Sequence, residues 1–288
     1  MQINVENLSF AYGSKKLQVK ALDGVSLTVN EGEFFGIIGQ TGSGKSTFVQ
    51  HLNGLIKVQE NSGKVTVGEY DLTDKKCNFK ELRAKVGMVF QYPEYQLFAE
   101  TVYDDVKFGL KNFYPNLTAS EEEEKIKSAI SLVGLDYEKI KDKSPFELSG
   151  GQKRRVAIAG VLVSRPEVLV LDEPVAGLDP KGKREFVALL KEIHKTFVKT
   201  IIIVSHDMNL VSENCSRIAV FKKGKIIKTG TPKEIFEESE VLSECGLDLC
   251  TTAFLTKELA KVGVKVDCDL TVDGFISAYL IAKGVSRE

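Results

Sequence analysis

The stretch that decides the fold is Gly39-Gln-Thr-Gly-Ser-Gly-Lys-Ser-Thr47, which matches the pattern G-x-x-x-x-G-K-S. The apolar run Glu33–Ile38 in front of it predicts a buried strand. The segment after it, Phe48–Gly54, has apolar residues at helical spacing and ends in Asn-Gly, a helix stop signal. Strand, glycine-rich loop and helix in this order predict a loop that binds the phosphates of a nucleoside triphosphate, rather than an ordinary turn.

Each residue type in this loop suits one part of phosphate binding. Glycines let successive backbone N–H groups point at phosphate oxygens, and the helix start adds a partial positive charge. Lys45 supplies a point charge for the β- and γ-phosphates, and the hydroxyl of Ser46 is a hard oxygen ligand for Mg²⁺. The loop residues expected to hold the nucleotide are Gly39, Gln40, Thr41, Gly42, Ser43, Gly44, Lys45, Ser46 and Thr47.

Composition narrows the classes of protein that this chain represents. The 288 residues have a net charge of −1, so no overall electrostatic footprint for a nucleic-acid partner is present. No apolar stretch reaches the roughly 18 residues of a membrane span, and Met1–Val5 lacks the features of a signal peptide. The 5 cysteines are scattered without a C-x-x-C pair, which indicates free thiols rather than a metal site. We expect a soluble intracellular protein.

A pair of acidic residues, Asp172 and Glu173, follows the continuous apolar run Val168–Leu171. Such a run is typical of a central parallel strand that is buried on both faces. Four apolar residues and an Asp form the Walker B arrangement, in which Asp172 holds Mg²⁺. Glu173 is then placed to orient or deprotonate a water molecule. Because burying two acids without a cation is costly, we favour the functional interpretation over a structural one.

Three further polar or aromatic side chains are candidates for ligand contacts. Gln91 ends the predicted strand Val86–Phe90, and His206 follows a later apolar strand. Ligands in α/β proteins bind at the carboxyl ends of such strands. Tyr12 lies on a predicted turn, where it either stacks on a nucleotide base or packs at a strand end.

A second helix start suited to anions follows Leu148-Ser-Gly-Gly-Gln152. Ser149 is in the N-cap position with two glycines beside it. Lys153, Arg154 and Arg155 oppose the helix dipole, which indicates either nearby carboxylates or anions, or a plain solvated face. Since the motif lies in a helical insertion, far along the chain from the phosphate loop, we expect it to complete a pocket on another subunit.

The alternation of strands and helices predicts an α/β core with a helical insertion at about residues 92–165. A capping box at Thr231–Glu234 begins a C-terminal extension, 231–288, of short helices, interpreted as a small packing or dimerisation domain. The predicted strands are 2–10, 17–29, 63–67, 86–90, 168–171, 200–204, 216–221 and 225–229. The predicted helices outside the insertion include 81–85, 181–197, 232–238, 251–262 and 271–284.

Taken together, the motifs resemble in order and spacing the nucleotide-binding domains of ABC transporters, over about residues 1–230. The resemblance rests on the phosphate loop, Gln91, Leu148–Gln152, Val168–Glu173, Asp179 and His206. It implies an α/β P-loop ATPase core with an antiparallel β subdomain, an inserted α-helical subdomain and a small C-terminal helical domain. One departure is Val175, where the family usually has Thr after Asp-Glu-Pro.

The resemblance also implies a head-to-tail dimer that encloses two ATP molecules, each with Mg²⁺. By motif match, Glu173 is the catalytic base, His206 contacts the γ-phosphate, and Gln91 binds Mg²⁺ and senses the membrane partner. The remaining implied contacts are Tyr12 on adenine, Lys45, Ser46 and Thr47 on phosphate and Mg²⁺, Asp172 on Mg²⁺, Ser149, Gly150, Gly151 and Gln152 on the opposing chain's ATP, and Asp179 at the dimer seam.

A finer resemblance, to the ATPases of energy-coupling factor importers of the cobalt-type branch, rests on four segments: Gln50–Leu55, Gln91–Phe98, Glu147–Gln152 and Asp172–Pro180. It implies a pair of ATPases, often two different chains, at the cytoplasmic face of the membrane on a shared transmembrane subunit. That subunit serves exchangeable substrate-binding membrane proteins for vitamins or for cobalt and nickel ions. The aromatic-rich loop Pro93–Phe98 is the expected docking surface.

Three competing functions are weaker on the sequence. The ATPase of another ABC transporter class shares the general motifs but not the finer ones. A soluble ABC protein of translation or DNA repair would carry two ATPase domains or a long coiled coil. This chain has one phosphate loop, and no sustained heptads separate Thr47 from Leu148. A catalytically inactive regulator would not be expected to keep Lys45, Glu173 and His206 together.

Overall fold

The computed structural model describes residues 1–13 and 18–284, whose strands form two sheets. The first sheet is antiparallel, and its strands in spatial order are β2 (Val19–Val29), β1 (Ile3–Tyr12), β4 (Lys64–Val67) and β5 (Tyr70–Asp71). Val25, Leu27 and Val29 of β2 are buried and alternate with more exposed residues. This alternation is the pattern of a sheet with one face on the core.

The second sheet is parallel except at one edge. Its strands in spatial order are β10 (Lys225–Gly230), β9 (Arg217–Lys222), β3 (Phe34–Gly39), β8 (Thr200–Val204), β7 (Val168–Asp172) and β6 (Val86–Val89). Only β10 runs antiparallel to its neighbour. Every residue of β3, β6, β7 and β8 is buried. The continuous apolar runs in the sequence are explained by this burial on both faces.

The two faces of the parallel sheet belong to two hydrophobic cores. In β7, Leu169 and Leu171 contribute to the core that also holds the inserted helices. Val168 and Val170 contribute to the other core, which the first helix and the antiparallel sheet cover. Successive side chains of a strand point to opposite faces, so one short strand supports both layers.

The helices surround these sheets in chain order. Before the insertion are α1 (Lys45–Leu52) and α2 (Phe79–Lys85). The insertion contains α3 (Val102–Phe113), α4 (Ala119–Leu132), α5 (Tyr137–Ile140) and α6 (Gly150–Leu162), with one-turn 3₁₀ helices at Pro93–Gln96 and Pro145–Glu147. Then follow α7 (Pro180–Thr196) and α8 (Met208–Asn214), and after β10 α9 (Pro232–Glu237), α10 (Ser239–Glu244), α11 (Thr251–Lys261) and α12 (Val272–Ala282).

The C-terminal helices pack against the α/β core. Phe236 and Leu242 are buried in the same core as the inserted helices. The backbone N–H of Thr251 donates to Oδ1 of Asn209 in α8 at 2.7 Å. The backbone of Gly246, after α10, lies directly against the side-chain amide of Gln40 in the phosphate loop. The extension therefore contacts both the phosphate loop and the helix that follows the loop of His206.

The fold class and most predicted elements are confirmed, and the main errors concern strand ends and short elements. The turn predicted at Phe10–Gly13 is wrong, because β1 continues to Tyr12 through pairing with Val19 and Lys20 of β2. Residue 17 of the second predicted strand lies outside the described residues. The strand β5 and the helices α8 and α10 were not predicted, because two to seven residues carry little periodic signal.

The insertion depends on a close approach of two helices at a glycine. A Cβ added at Gly109 in α3 would overlap the carbonyl oxygen of Gly160 in α6, whereas a Cβ at Gly160 would meet nothing. We predict that Gly109→Ala lowers the free energy of unfolding by about 1–3 kcal/mol, because α3 must move away from α6. The matched control Gly160→Ala should be neutral or stabilising by about 0.5–1 kcal/mol. Urea unfolding checks both, and equal effects would contradict this packing.

Candidate functional site

The phosphate loop joins β3 to α1 and has the backbone geometry that its glycines allow. Gly42 and Gly44 have φ of 78° and 103°, in the left-handed region. A Cβ at Gly44 would overlap the carbonyl oxygen of Ala21, so this N-cap position of α1 excludes side chains. The start of α1 thus lines the cleft, and no side chain caps it, which suits an anion site.

Lys45 lies buried within the loop that it serves. Its Nζ donates to the carbonyl oxygens of Gly39 and Gln40, at 2.7 and 2.9 Å. Burial lowers the pKa of Lys45, while Glu173 and Asp172 act to raise this pKa. The two carboxylates therefore favour the charged form of Lys45, which burial disfavours.

The acidic pair is held at the carboxyl end of β7. Burial raises the pKa of Asp172, although the Ser46 hydroxyl bonded to it acts in the opposite direction. Glu173 has φ of 49°, a left-handed conformation that is uncommon for a residue other than glycine. Its Oε2 lies 2.7 Å from Nδ1 of His206 and also accepts the backbone N–H of His206 at 3.4 Å. Such a held outlier is typical of functional positions.

These groups line one cleft of about 440 Å³, a volume within the usual range for ligand sites. The predicted site residues on its walls are Tyr12, Thr41, Gly42, Gly44, Lys45, Ser46, Thr47, Gln91, Asp172, Glu173 and His206. At one end Tyr12 is 45% exposed, and its ring packs edge-on against Phe10, which packs in turn against His51. The hydroxyl of Tyr12 lies 3.3 Å from Oγ1 of Thr47.

Three residues of the phosphate loop are placed away from the cleft walls. Gly39 is buried at the end of β3, and the side chain of Gln40 lies against Gly246. Ser43 is buried, and its Oγ has no hydrogen-bond partner among the described residues. A buried hydroxyl without a partner is costly to the stability of the fold.

The second helix start and the predicted seam residue lie outside this cleft. Ser149 caps α6 in a capping box with Gln152, and both Gly150 and Gly151 are exposed. Asp179 caps α7 by accepting the N–H of Gly182 at 2.8 Å. In this single chain, therefore, no side chain from Ser149–Gln152 is among those that line the cleft of Lys45.

Oxygen donors that suit Mg²⁺ lie together in the cleft. Ser46 contributes a hydroxyl, Gln91 an amide and Asp172 a carboxylate. Among the described residues, no group of three or more His, Cys, Asp or Glu could hold a metal ion alone. Mg²⁺ is usually bound through one or two carboxylates together with substrate phosphates, so this small donor set fits Mg²⁺ that arrives with a nucleotide.

One supporting residue had no role in the sequence analysis. Asp207 caps α8, and its carboxylate accepts Nζ of Lys183 from α7 at 2.9 Å. Burial raises its pKa, but the bond and charge of Lys183 together with the backbone N–H groups of Leu210 and Asn209 outweigh this, so the pKa of Asp207 is lowered. This ion pair fixes the loop of His206 against α7. The signal in the sequence was an Asp directly before a helix start, which the N-cap rule covers.

A phosphate loop after β3, an acidic pair after β7 and a His after β8 define a P-loop nucleoside triphosphatase. The sequence profile of the ABC transporter family matches residues 22–176. The chain is 49% identical to the energy-coupling factor transporter ATP-binding protein EcfA2 of Clostridium tetani, over 92% of this chain and 91% of that protein. It is 48% identical to EcfA2 of Caldanaerobacter subterraneus, over 95% and 94%.

Solved structures agree with these sequence relatives. CbiO1 from Clostridium perfringens, part of the ABC transporter complex cbiONQ, superposes with a TM-score of 0.73 at 40% identity, over 88% of this chain and 98% of that chain. The ATP-binding cassette MJ0796, dimeric and bound to ADP and Pi, superposes with a TM-score of 0.69 at 29% identity, over 80% and 98%. This chain belongs to the ABC transporter family, among the ATP-binding subunits of energy-coupling factor transporters. It is accordingly a transport ATPase. None of its described helices is sufficiently long and apolar to span a membrane.

The burial of Asp172 predicts a conflict between stability and function. Because its pKa is raised in the folded state, ionised Asp172 costs stability above that pKa, and the cost fades as the pH falls through it. We predict that Asp172→Asn raises the melting temperature of the ligand-free protein at pH 8 and that the gain narrows as the pH falls through the raised pKa toward the ordinary value of 3.8. The exposed Glu192→Gln is the control and should change little over this pH range. A lower melting temperature of Asp172→Asn at pH 8 would contradict this interpretation.

Proposed function

We propose that this chain binds Mg²⁺-ATP in the described cleft and hydrolyses it to power an importer, as one of two ATPase subunits. The observation that carries the proposal is that residues from four separate stretches of the sequence line one cleft: Lys45, Gln91, the pair Asp172 and Glu173, and His206. The chain's own relatives, which are named as ATP-binding proteins of energy-coupling factor transporters, support the same function.

Within this cleft, the loop N–H groups, Lys45 and Thr47 hold the phosphates. Tyr12 stacks on adenine. Its ring suits this contact because it is 45% exposed and packs edge-on against Phe10. Ser46, Gln91 and Asp172 bind Mg²⁺, which on binding neutralises charge on the β- and γ-phosphates. Asp172 is poised for this because a cation relieves the cost of its buried charge.

Hydrolysis requires a base next to the γ-phosphate. Glu173 accepts a proton from the attacking water, whose oxygen bonds to the γ-phosphorus while the bond to the β–γ bridging oxygen breaks. His206, bonded to Glu173 at 2.7 Å, orients this carboxylate and contacts the γ-phosphate. The turn that follows the strand keeps Glu173 in its left-handed conformation at the edge of the sheet.

A second ATPase completes each site. Ser149 and Gly151 at the exposed start of α6 contact the γ-phosphate bound to the opposing chain, and Asp179 lies at the seam. Two observations support this arrangement. The start of α6 is exposed and capped, but it does not line the cleft of its own chain. The relative MJ0796 is dimeric. We favour a different ATPase chain as the partner. In this arrangement residues 1–230 form the ATPase domain and 231–288 a helical extension that stabilises the pair.

The role of Glu173 gives a direct prediction. Glu173→Gln should retain ATP binding and lose hydrolysis by roughly 10²–10⁴-fold, the usual contribution of a general base. Lys45→Ala is the comparison variant and should lose productive ATP binding itself. Titration with a fluorescent ATP analogue and phosphate release measure the two properties. Near wild-type hydrolysis by Glu173→Gln would remove Glu173 from this role.

An aromatic surface next to Gln91 is suited to a membrane partner. We define it as Tyr92, Tyr95, Phe98 and Phe108, which are 37%, 83%, 60% and 53% exposed. The rings of Phe98 and Phe108 pack edge-on at 4.9 Å, so the surface joins the loop to α3. We propose that the transmembrane energy-coupling subunit docks here, which places the chain at the cytoplasmic face of the membrane. Substrate-binding membrane subunits for vitamins, or for cobalt or nickel ions, complete the importer.

Replacing Tyr95 and Phe98 together by Ala tests this surface. The double variant should lose capture of the transmembrane subunit and transport-coupled hydrolysis, while its ATP affinity stays within about threefold of wild type. Phe254→Ala is the control, because Phe254 is 52% exposed but lies on α11. Unchanged assembly of the double variant would show that docking occurs elsewhere.

Partners and cargo are tested by a tagged pull-down from detergent-solubilised native membranes, followed by mass spectrometry. The proposal expects a polytopic membrane protein, a second ATPase and small membrane proteins that point to the cargo. Recovery of ribosomes or DNA-processing proteins without a membrane partner would favour a soluble ABC protein instead.

A further inference from the structure

Arg154, in the second turn of α6, is a buried cation that joins two loops. Its Nε and Nη2 donate to the two carboxylate oxygens of Glu94, at 3.0 and 2.8 Å. Its Nη1 donates to the carbonyl oxygen of Pro174, and its Nη2 also to that of Ala176, each at 3.1 Å. Because the side chain of Arg154 is only 4% exposed, water cannot readily replace these bonds.

The segments that meet at Arg154 each carry a residue of the proposed site. Glu94 lies in the 3₁₀ helix that follows Gln91 and that also bears the exposed ring of Tyr95. Pro174 follows Glu173 directly. The helix of Arg154 itself begins at Ser149. One guanidinium thus connects three segments: the docking loop (Pro93–Phe98), the catalytic loop (Glu173–Ala176) and α6. In the proposed pair of ATPases, the start of α6 faces the nucleotide of the opposing chain.

The catalytic loop is the segment that most needs such a connection. Glu173 is left-handed, and the turn it begins is closed by the N–H of Ala176 donating to the carbonyl oxygen of Glu173 at 3.2 Å. Arg154 binds two of the other three carbonyl groups of this turn, those of Pro174 and Ala176. A disfavoured backbone conformation persists only where its surroundings hold it.

We propose that Arg154 is a positioning residue, which fixes the carboxylate of Glu173 and transmits movement of the docking loop to it through Glu94. This inference rests on the proposed function. Arg154 is not among the residues that line the nucleotide cleft, so it acts on the rate of hydrolysis rather than on ATP binding. Lysine does not substitute for it, because a compact ammonium lacks the planar fork that reaches four acceptors.

The test measures kcat and KM for ATP in the complex purified with this chain. Arg154→Met and Arg154→Lys should each lower kcat by about 10- to 100-fold, as a small misplacement of a catalytic group does. KM and the affinity for a fluorescent ATP analogue should change by less than about threefold. The control is Arg155→Met, which removes the neighbouring cation and its bond to the carbonyl oxygen of Val133 but touches neither loop.

If the ion pair of Arg154 and Glu94 only stabilised the fold, a variant that restores stability would also restore kcat. In the double variant Glu94→Met with Arg154→Met, two apolar side chains replace the pair, and no buried charge remains unpaired. We expect this variant to melt near the wild-type temperature and still to have the low kcat, because the two carbonyl groups have lost their donor. Recovery of kcat with recovery of stability overturns the proposal, as does wild-type kcat in Arg154→Met. Should Arg154→Met fail to fold, Arg154→Lys provides the same measurement, because it keeps a cation beside Glu94 but lacks the planar fork that binds both carbonyl groups.

Failure of the proposed function would look different. If the wild-type complex does not hydrolyse ATP, or if Lys45→Ala hydrolyses it equally well, the ATPase assignment of the cleft is wrong. An active wild type, an inactive Lys45→Ala and a fully active Arg154→Met would leave that assignment intact and refute only the role of Arg154.

Discussion

The parallel pairing of β3, β8, β7 and β6 is the constraint on which the rest of the structure depends. Parallel strands end at the same edge of a sheet, so whatever follows each strand meets there. The phosphate loop follows β3, Asp172 and Glu173 end β7, Gln91 follows β6 and His206 follows β8. The chemistry is assembled by the register of buried apolar strands, which backbone hydrogen bonds and apolar packing hold in place.

The polar groups at that edge are buried at a cost to the stability of the protein. Lys45 is buried against loop carbonyl groups, and Asp172 is buried beside Glu173. In the proposed function, phosphates and a divalent cation supply opposite charges to these two groups and lower that cost. We therefore expect nucleotide binding to stabilise the folded protein.

The sequence predicted the sheet and the cleft well because both depend on short-range signals. An apolar run, a glycine pattern and a capping residue are visible within about ten positions. It could not predict the pairing of Arg154 with Glu94, which are 60 residues apart, and left open whether the charge at 154 was paired or solvated. The contact of Gln40 with Gly246 was equally invisible, because it depends on where the C-terminal helices pack. The continuation of β1 through Tyr12 was missed because β-pairing with Val19, not local composition, determines it.

A site divided between two chains is the central claim of this account. Photo-cross-linking in the purified complex tests it most directly, with p-benzoylphenylalanine in place of the exposed Glu147, just before Ser149. The Glu173→Gln background keeps ATP unhydrolysed during illumination. We predict an ATP-dependent adduct of two chains. Mass spectrometry of this adduct should find residue 147 linked near the phosphate loop of the second ATPase. Adducts confined to one chain, or equal yields with and without ATP, would contradict it.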